Sequence, residues 1–328
     1  MMRKRHLTAI ALICLWGCAD GETRGSDHGS GASTSGGSGG MAAAPAGGEA
    51  GTAAAGQAGA GATGGTTAET CHGLPGPTMV QLASPGGVKY CMDRTEVTQA
   101  QYAEFLKQVK DTPGSEHADC TVDNKTYQPL EYPSSMEGAD CIIGKHWTPE
   151  ATPKRPVVCV DWCDAFAYCK WAGKRLCGKL GGGRVPWPPD EDPNAEAFRA
   201  NDSQWYNACS QGGKTLYPYG DTYDPQACEG ADVSKGGAGG WLPKRDVGAR
   251  PDCHGTAEPF ASIRDLSGSV REMTDECLWW QSRTSGSWEC ATRGGTAVSQ
   301  SDDLSCTSYK IPALADPWTG FRCCKDLP

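Results

Sequence analysis

Apolar and polar positions change their period several times along this chain, and each change marks an element. Residues 89–95 form a short extended run, read as a strand. Thr98-Gln99-Ala100-Gln101 follows with a capping-box pattern, in which Thr98 caps the helix and Gln101 reaches back. Tyr102, Phe105, Leu106 and Val109 then recur at helical spacing on one face, and Pro113-Gly114 ends the run. A second strand is predicted over 157–160. A second helix begins at Asp161, with Asp164 at its third position, a buried stripe of Trp162, Phe166, Cys169 and Ala172, and Gly173 as the stop. A third, shorter helix is predicted over 201–209 with Gln204 in the capping-box place. Beyond it Gly, Pro, Asp and Trp are abundant and few runs keep a period, which predicts turns and short irregular strands, not a doubly wound sheet. Residues 111–155 and 178–195 read as loop insertions. The pattern is that of a loop-rich α+β domain with few helices.

The first 70 residues have a different character. Arg3, Lys4 and Arg5 precede an apolar run over residues 7–16, too short to span a bilayer and suited to a secretory signal. Leu15-Trp16-Gly17-Cys18 resembles a bacterial lipobox, although Trp16 stands where a small residue is usual. The expectation is a signal peptide over residues 1–17 and lipidation at Cys18, with an ordinary cleaved signal as the alternative. Acyl chains at Cys18 would hold the chain to a membrane, each buried methylene adding about 0.8 kcal/mol. Residues 18–70 are almost entirely Gly, Ala, Ser and Thr and cannot bury enough apolar surface to offset their ordering entropy, so a disordered linker is expected. The remaining 71–328 would be the folded head, in the bacterial cell envelope.

Composition narrows the reading. The formal net charge of −9 disfavours a phosphate-binding face, so no nucleic-acid partner is expected. Of 18 cysteines, Cys14 and Cys18 lie in the leader, and the even remainder all fall beyond the linker. An even set in an exported domain reads as a disulfide framework. The rival, a thiolate metal site, lacks any Cys-x-x-Cys pair.

Several segments in the head have a familiar order. YCMDRTEVTQAQYAEF at 90–105 resembles the opening of the formylglycine-generating enzyme (sulfatase-modifying factor) family. VVCVDWCDAFAYCKWAGKRL at 157–176, the stretch 204–220, DLSGSVREMT at 265–274, RGGT at 293–296 and GFRC at 320–323 resemble that family's later signatures. The resemblance spans about residues 77–325. It implies an elaborated C-type-lectin-like α+β fold, stapled by disulfides. It also implies the pairs Cys169–Cys323 and Cys209–Cys306.

The same resemblance implies a copper oxidase with two converging thiolates, the soft ligands that select Cu(I). The places of those thiolates fall on Ser299 and Leu304, so copper is not expected, and Cys306 is the single thiol nearby, a weak catalytic candidate. Arg271 stands where the family has a tryptophan. The resemblance further implies calcium held by Asp265 and Glu272 side chains and Gly268 and Val270 carbonyls, oxygen donors suited to a hard cation. Glu229 and Gly230 mark a less clear second calcium loop. On the residues alone, Asp265 and Glu272 are equally two solvated carboxylates on a loop. Trp279, Trp280 and Trp318, with Arg271 and Thr296, are core or else line a groove for a protein or carbohydrate ligand, which Arg184 and Trp187 could rim. Cys253-His254 reads as a disulfide cysteine beside a surface histidine. Ser267-Gly268-Ser269 lacks the strand-to-helix context of a nucleophile elbow.

The expectation is a lipid-anchored binding or scaffolding module that keeps the fold without the copper centre. One rival is an active oxidase converting a sulfatase cysteine to formylglycine. The other is a purely structural surface protein with no groove.

Overall fold

In a computed structural model, the described residues are 71–120, 124–131, 141, 146–186, 199–234, 245–280, 287–311 and 315–328. The expected signal, the lipid site Cys18 and the linker lie outside them.

Two sheets frame the head. The first has strand order β1-β2-β9-β3, from β1 (Met79–Ala83), β2 (Lys89–Asp93), β3 (Arg175–Leu176) and β9 (Cys323–Asp326), paired antiparallel throughout. The last strand of the chain thus sits between the first hairpin and β3. The second sheet is built on the antiparallel hairpin β5 (Arg271–Trp280) and β6 (Ser287–Arg293), with β7 (Tyr309–Lys310) beside β6. Two short strands run parallel to β5, β8 (Thr319–Phe321) beside its first three residues and β4 (Val185–Pro186) beside Glu276 and Cys277.

The helices form where local signals are reciprocal. In α1 (Gln99–Gln108), the Gln101 amide donates to Thr98 Oγ1 and the Thr98 amide donates to Gln101 Oε1 (2.9 Å), so two otherwise orphaned donors are satisfied. α2 (Trp162–Trp171) repeats the device with Asp161 and Asp164. Gly173 ends it at a φ of +70°, a conformation that favours glycine. The two helices bury an aromatic cluster in which Tyr102 stacks on Tyr168 with centroids 5.7 Å apart and Phe321 of β8 meets Tyr168 at 5.3 Å. Fully burying side chains of this size stabilises by roughly 1.5–3 kcal/mol each. Phe166, expected in the buried stripe of α2, is only half-buried; Ala165 and Tyr168 take its place beside Cys169 and Ala172.

Three expectations are corrected. Residues 157–160 are not a strand: only an isolated bridge joins Thr98 to Pro156, and Cys159, at φ +63°, turns the backbone out of any ladder. The third helix, α3 (Gln204–Cys209), starts later than expected; Ser203 caps it by accepting from the Tyr206 amide (3.0 Å), and Gln204 begins the helix. The region beyond α3 contains the longest strand, where short ones were expected.

All sixteen cysteines beyond the linker are bridged: 71–91, 120–163, 141–159, 169–323, 177–324, 209–306, 228–253 and 277–290. Neighbours in a strand point to opposite faces. Cys323 therefore staples β9 to α2 in one core cluster, while Cys324 staples it to Cys177 in the other.

Candidate functional site: a buried carboxylate cluster beside the RGGT turn

The 265–272 loop leads into β5 with three residues in left-handed conformation: Asp265 (φ +59°), Gly268 (+76°) and Ser269 (+61°). Two backbone segments clamp it. The Gly268 amide donates to Gly294 O (2.7 Å) and the Ala297 amide to Ser269 O (3.0 Å); on the other side the Ser269 amide donates to Glu229 O (2.9 Å). A Cβ on Gly268 would drive into the Glu229 carbonyl, so glycine is required there.

Asp265 and Glu272 are not solvated surface groups; both are buried. Glu272 Oε2 accepts from Trp205 Nε1 (2.9 Å) and Arg322 Nε (2.7 Å), and its Oε1 accepts from Arg322 Nη2 (2.6 Å). Asp265 accepts from the Gly248 amide. A third carboxylate, Glu96, is fully buried, and neither of its oxygens has a hydrogen-bond partner. Its nearest cation is Arg322, with Nη2 3.9 Å from Oε2.

Three buried carboxylates thus share one guanidinium. Burial, and then the charges of Asp265 and Glu272, push the Glu96 carboxyl well above its ordinary range, and burial raises Asp265 to about 6. An orphaned buried carboxylate costs several kcal/mol unless a proton or a cation joins it. Glu96 has both carboxylate oxygens open, whereas Glu272 is already held through both of its oxygens by Arg322; the oxygens of the three acids do not all converge within 4.8 Å, a closeness that among the described residues is met by Glu116, Cys120 and Cys163. Glu96 was not legible as a site residue. It sits three residues after Asp93 at a strand-to-helix junction, 169 positions before Asp265 in the chain.

The second loop sets Glu229 among arginines, with its Oε2 left without a hydrogen bond. Glu229 Oε2 is ion-paired with Arg245 Nε (2.8 Å) and faces Arg250 Nε at 3.9 Å, and its Oε1 accepts from Ser234 Oγ (2.9 Å). Its backbone carbonyl is taken by Ser269. Gly230 packs against the Leu304 side chain and Ser299 O.

The places that thiolates would fill hold other chemistry. Ser299 Oγ accepts from the Thr296 amide (3.0 Å) and shares a hydrogen bond with Thr296 Oγ1 (3.2 Å). Leu304 is buried. Cys306, the weak catalytic candidate, is bridged to Cys209 (S–S 2.06 Å) and offers no free thiol. The residues here do not fit copper, since no soft donor pair converges.

The residues expected to line a groove are spread along β5 and the segments beside it. Arg271 donates to Thr319 Oγ1 (2.9 Å) and is ion-paired with Asp316, and its amide donates to Trp318 O, so it braces the half-buried Trp318 segment. Thr296 is buried beside Ser299. Trp279 and Trp280 lie at the far end of β5, roughly 25 Å of extended chain from Arg271; their side chains lie outside the described residues, as does Trp187. Arg184 is held by Asp119 (3.1 Å) and Asp275 (2.8 Å) over the Trp162 ring. Cys253 is bridged to Cys228, which leaves His254 without a thiol partner.

A fold of two small sheets, three capped helices and long stapled loops, with this loop–RGGT–GFRC arrangement at its centre, defines a class. The family model for the sulfatase-modifying factor enzyme 1-like domain matches residues 57–327, and the chain belongs to that family. It is similar to the formylglycine-generating enzyme of Thermomonospora curvata, 25% identical over 298 residues, covering 76% of this chain and 85% of the relative. To the formylglycine-generating enzyme of Streptomyces coelicolor it is 32% identical over 134 residues, covering 34% of this chain and 42% of the relative. Among solved structures it is similar to PvdO from Pseudomonas aeruginosa (TM-score 0.45, 18% identity, 73% of this chain and 81% of that one). It is also similar to CarF (TM-score 0.40, 18% identity, 73% and 87%).

Proposed function

We propose that this chain is a non-catalytic binding or scaffolding module on the formylglycine-generating fold, steadied by one calcium ion and tethered to the bacterial envelope through a lipid at Cys18. The observation that carries the reading is the state of the sulfurs. Cys306 is consumed by Cys209, and Ser299 and Leu304 stand where a thiolate pair would be needed. Calcium at Asp265, Gly268, Val270 and Glu272 is supported by the resemblance of 265–272 to the family's calcium loop and by the unpartnered Glu96 carboxylate, a buried acid beside it that no protein hydrogen bond answers. The ion would neutralise the buried acids and fix the loop that leads into β5. The ligand class proposed is a protein or a carbohydrate. The lipobox-like Leu15–Cys18 run and the linker composition support the anchor.

The alternative is a cysteine-oxidising enzyme, favoured by the name of the Thermomonospora curvata relative. The test incubates the oxidised chain with Cu(I), oxygen and a peptide containing Cys-x-Pro-x-Arg, and follows the peptide by mass spectrometry. No aldehyde is expected. Conversion of the cysteine would overturn the module reading and restore the oxidase.

A further inference from the structure

We infer that the surface carried by residues 216–224 and 298–302 is a docking site for an arginine-bearing segment of a partner protein. The inference rests on the module reading above and deepens it by naming a surface and a partner chemistry; no metal enters it. Its base is three tyrosines. Tyr217 is buried, Tyr219 stacks on it with ring centroids 5.4 Å apart and planes 9° from parallel, and Tyr223 leans on it at 5.7 Å. Tyr219 and Tyr223 are both half-buried. The Tyr217 hydroxyl donates to Ser301 O (3.3 Å) and the Cys306 amide to Leu216 O (2.8 Å), so the two segments are joined. Each of them also presents an apolar side chain to solvent: Leu216 is 41% exposed and Val298 51%.

Acids surround this aromatic base. Asp232 Oδ2 accepts from the Tyr223 hydroxyl (2.7 Å), the Asp224 amide donates to the Tyr219 hydroxyl (3.4 Å), and Asp221 Oδ1 accepts from the Leu216 amide (3.1 Å). Asp302 follows Ser301, whose carbonyl takes the Tyr217 hydroxyl. All four aspartates are exposed. Asp303 beside them is answered by Lys310 (3.1 Å), whereas among the described residues no cation pairs with these four. Like charges held together repel one another, and a cationic partner relieves that repulsion. A guanidinium suits the surface better than an ammonium, because it lies flat on an aromatic face and meets a carboxylate through two N–H groups at once. A small free cation would leave Leu216 and Val298 uncovered. Apolar residues flanking an arginine cover them, which makes a peptide segment the occupant. The hydrogen bonds that already hold the tyrosines lower the ordering cost when the partner arrives.

Fluorescence anisotropy on the full, oxidised chain tests this, with a labelled Gly-Leu-Arg-Leu-Gly peptide and the same peptide carrying citrulline, the neutral isostere, in place of arginine. The arginine peptide should bind, and the citrulline peptide about tenfold more weakly. Tyr219→Leu keeps an apolar side chain but removes the aromatic face, and should weaken the arginine peptide about two- to fivefold. Asp302→Asn changes an exposed residue, so it guards against a misfolded Tyr219→Leu; it should weaken binding and flatten its dependence on salt. Glu150→Gln, at an exposed acid outside both segments, should change nothing. No binding of the arginine peptide, or equal binding of the citrulline form, would overturn the inference and leave the module reading to another surface. Equal losses in Asp302→Asn and Glu150→Gln would also overturn it, because they would show general attraction to a chain of net charge −9. The module reading fails separately, through aldehyde formation on the cysteine peptide.

Discussion

Asp93 is a carboxylate with no access to water. Its Oδ1 meets Lys174 Nζ at 2.6 Å and its Oδ2 accepts the Cys323 amide at 2.9 Å, yet burial outweighs both and raises its pKa from 3.8 to about 6. An acid whose pKa rises on folding binds more protons in the folded state between those values. Its contribution to stability is therefore full below pH 3.8 and is lost as pH rises through about 6. Urea midpoints measured across pH 4–6 should show this fall. In Asp93→Asn the slope of stability against pH near 5 should shrink by about one proton. An unchanged slope would mean that Asp93 is ionised throughout. A second single-residue feature, the orphaned Glu96, explains why the carboxylate cluster was only half legible: a lone glutamate in a mixed run carries no spacing that points at residues 265–272.

Elements in this head follow two kinds of signal. Helices α1 and α2 begin where capping boxes predict them, because those hydrogen bonds join residues three apart and need no tertiary partner. Strand β5 escaped a reading by periodicity because Glu272 and Glu276 occupy buried positions in it. Each is made tolerable by an arginine distant in the chain or on the neighbouring strand: Arg322 for Glu272, and Arg293 for Glu276 at 2.5 Å. Strand β9 carries the test of the staples. Cys169–Cys323 and Cys177–Cys324 enclose separations of 154 and 147 residues, nearly the same loop. Either bridge alone leaves the other to keep that loop closed, so its removal frees only a small ring. Replacing one pair by alanine should cost about 3 kcal/mol, and replacing the second pair about 4 kcal/mol more. Chemical denaturation of the two double-alanine variants and the quadruple variant forms the cycle. A quadruple variant that costs no more than either double would refute the shared-loop account.

At the scale of the whole molecule, eight bridges spread through both sheets and both main core clusters hold a domain rich in loops. Free thiols should be absent from residues 71–328. Alkylation of the denatured but unreduced chain, followed by peptide mapping, should label none of the sixteen cysteines there. A label on Cys306 would reopen the oxidase reading and sever the third helix from the segment that follows Leu304. The separation of Arg271 from Trp279 and Trp280 along β5 also belongs to this scale. Residues that share a composition cue need not share a surface, and a ligand site should be sought at the Trp318 end and the Trp279 end separately.

The sequence by itself determined the family, the order of its signatures, the helix starts marked by capping boxes, the even cysteine count and the serine and leucine at 299 and 304. Each of these depends on residues that are close in the chain or on residue identity alone. Only the tertiary structure decided how Glu96 joins Asp265 and Glu272, and which acids are answered by arginine. It also decided that 157–160 bends out of a ladder while 271–280 enters one. Those outcomes depend on burial and on charges brought together from more than 160 positions apart, and a carboxylate's character is set by what surrounds it and not by its place in the chain.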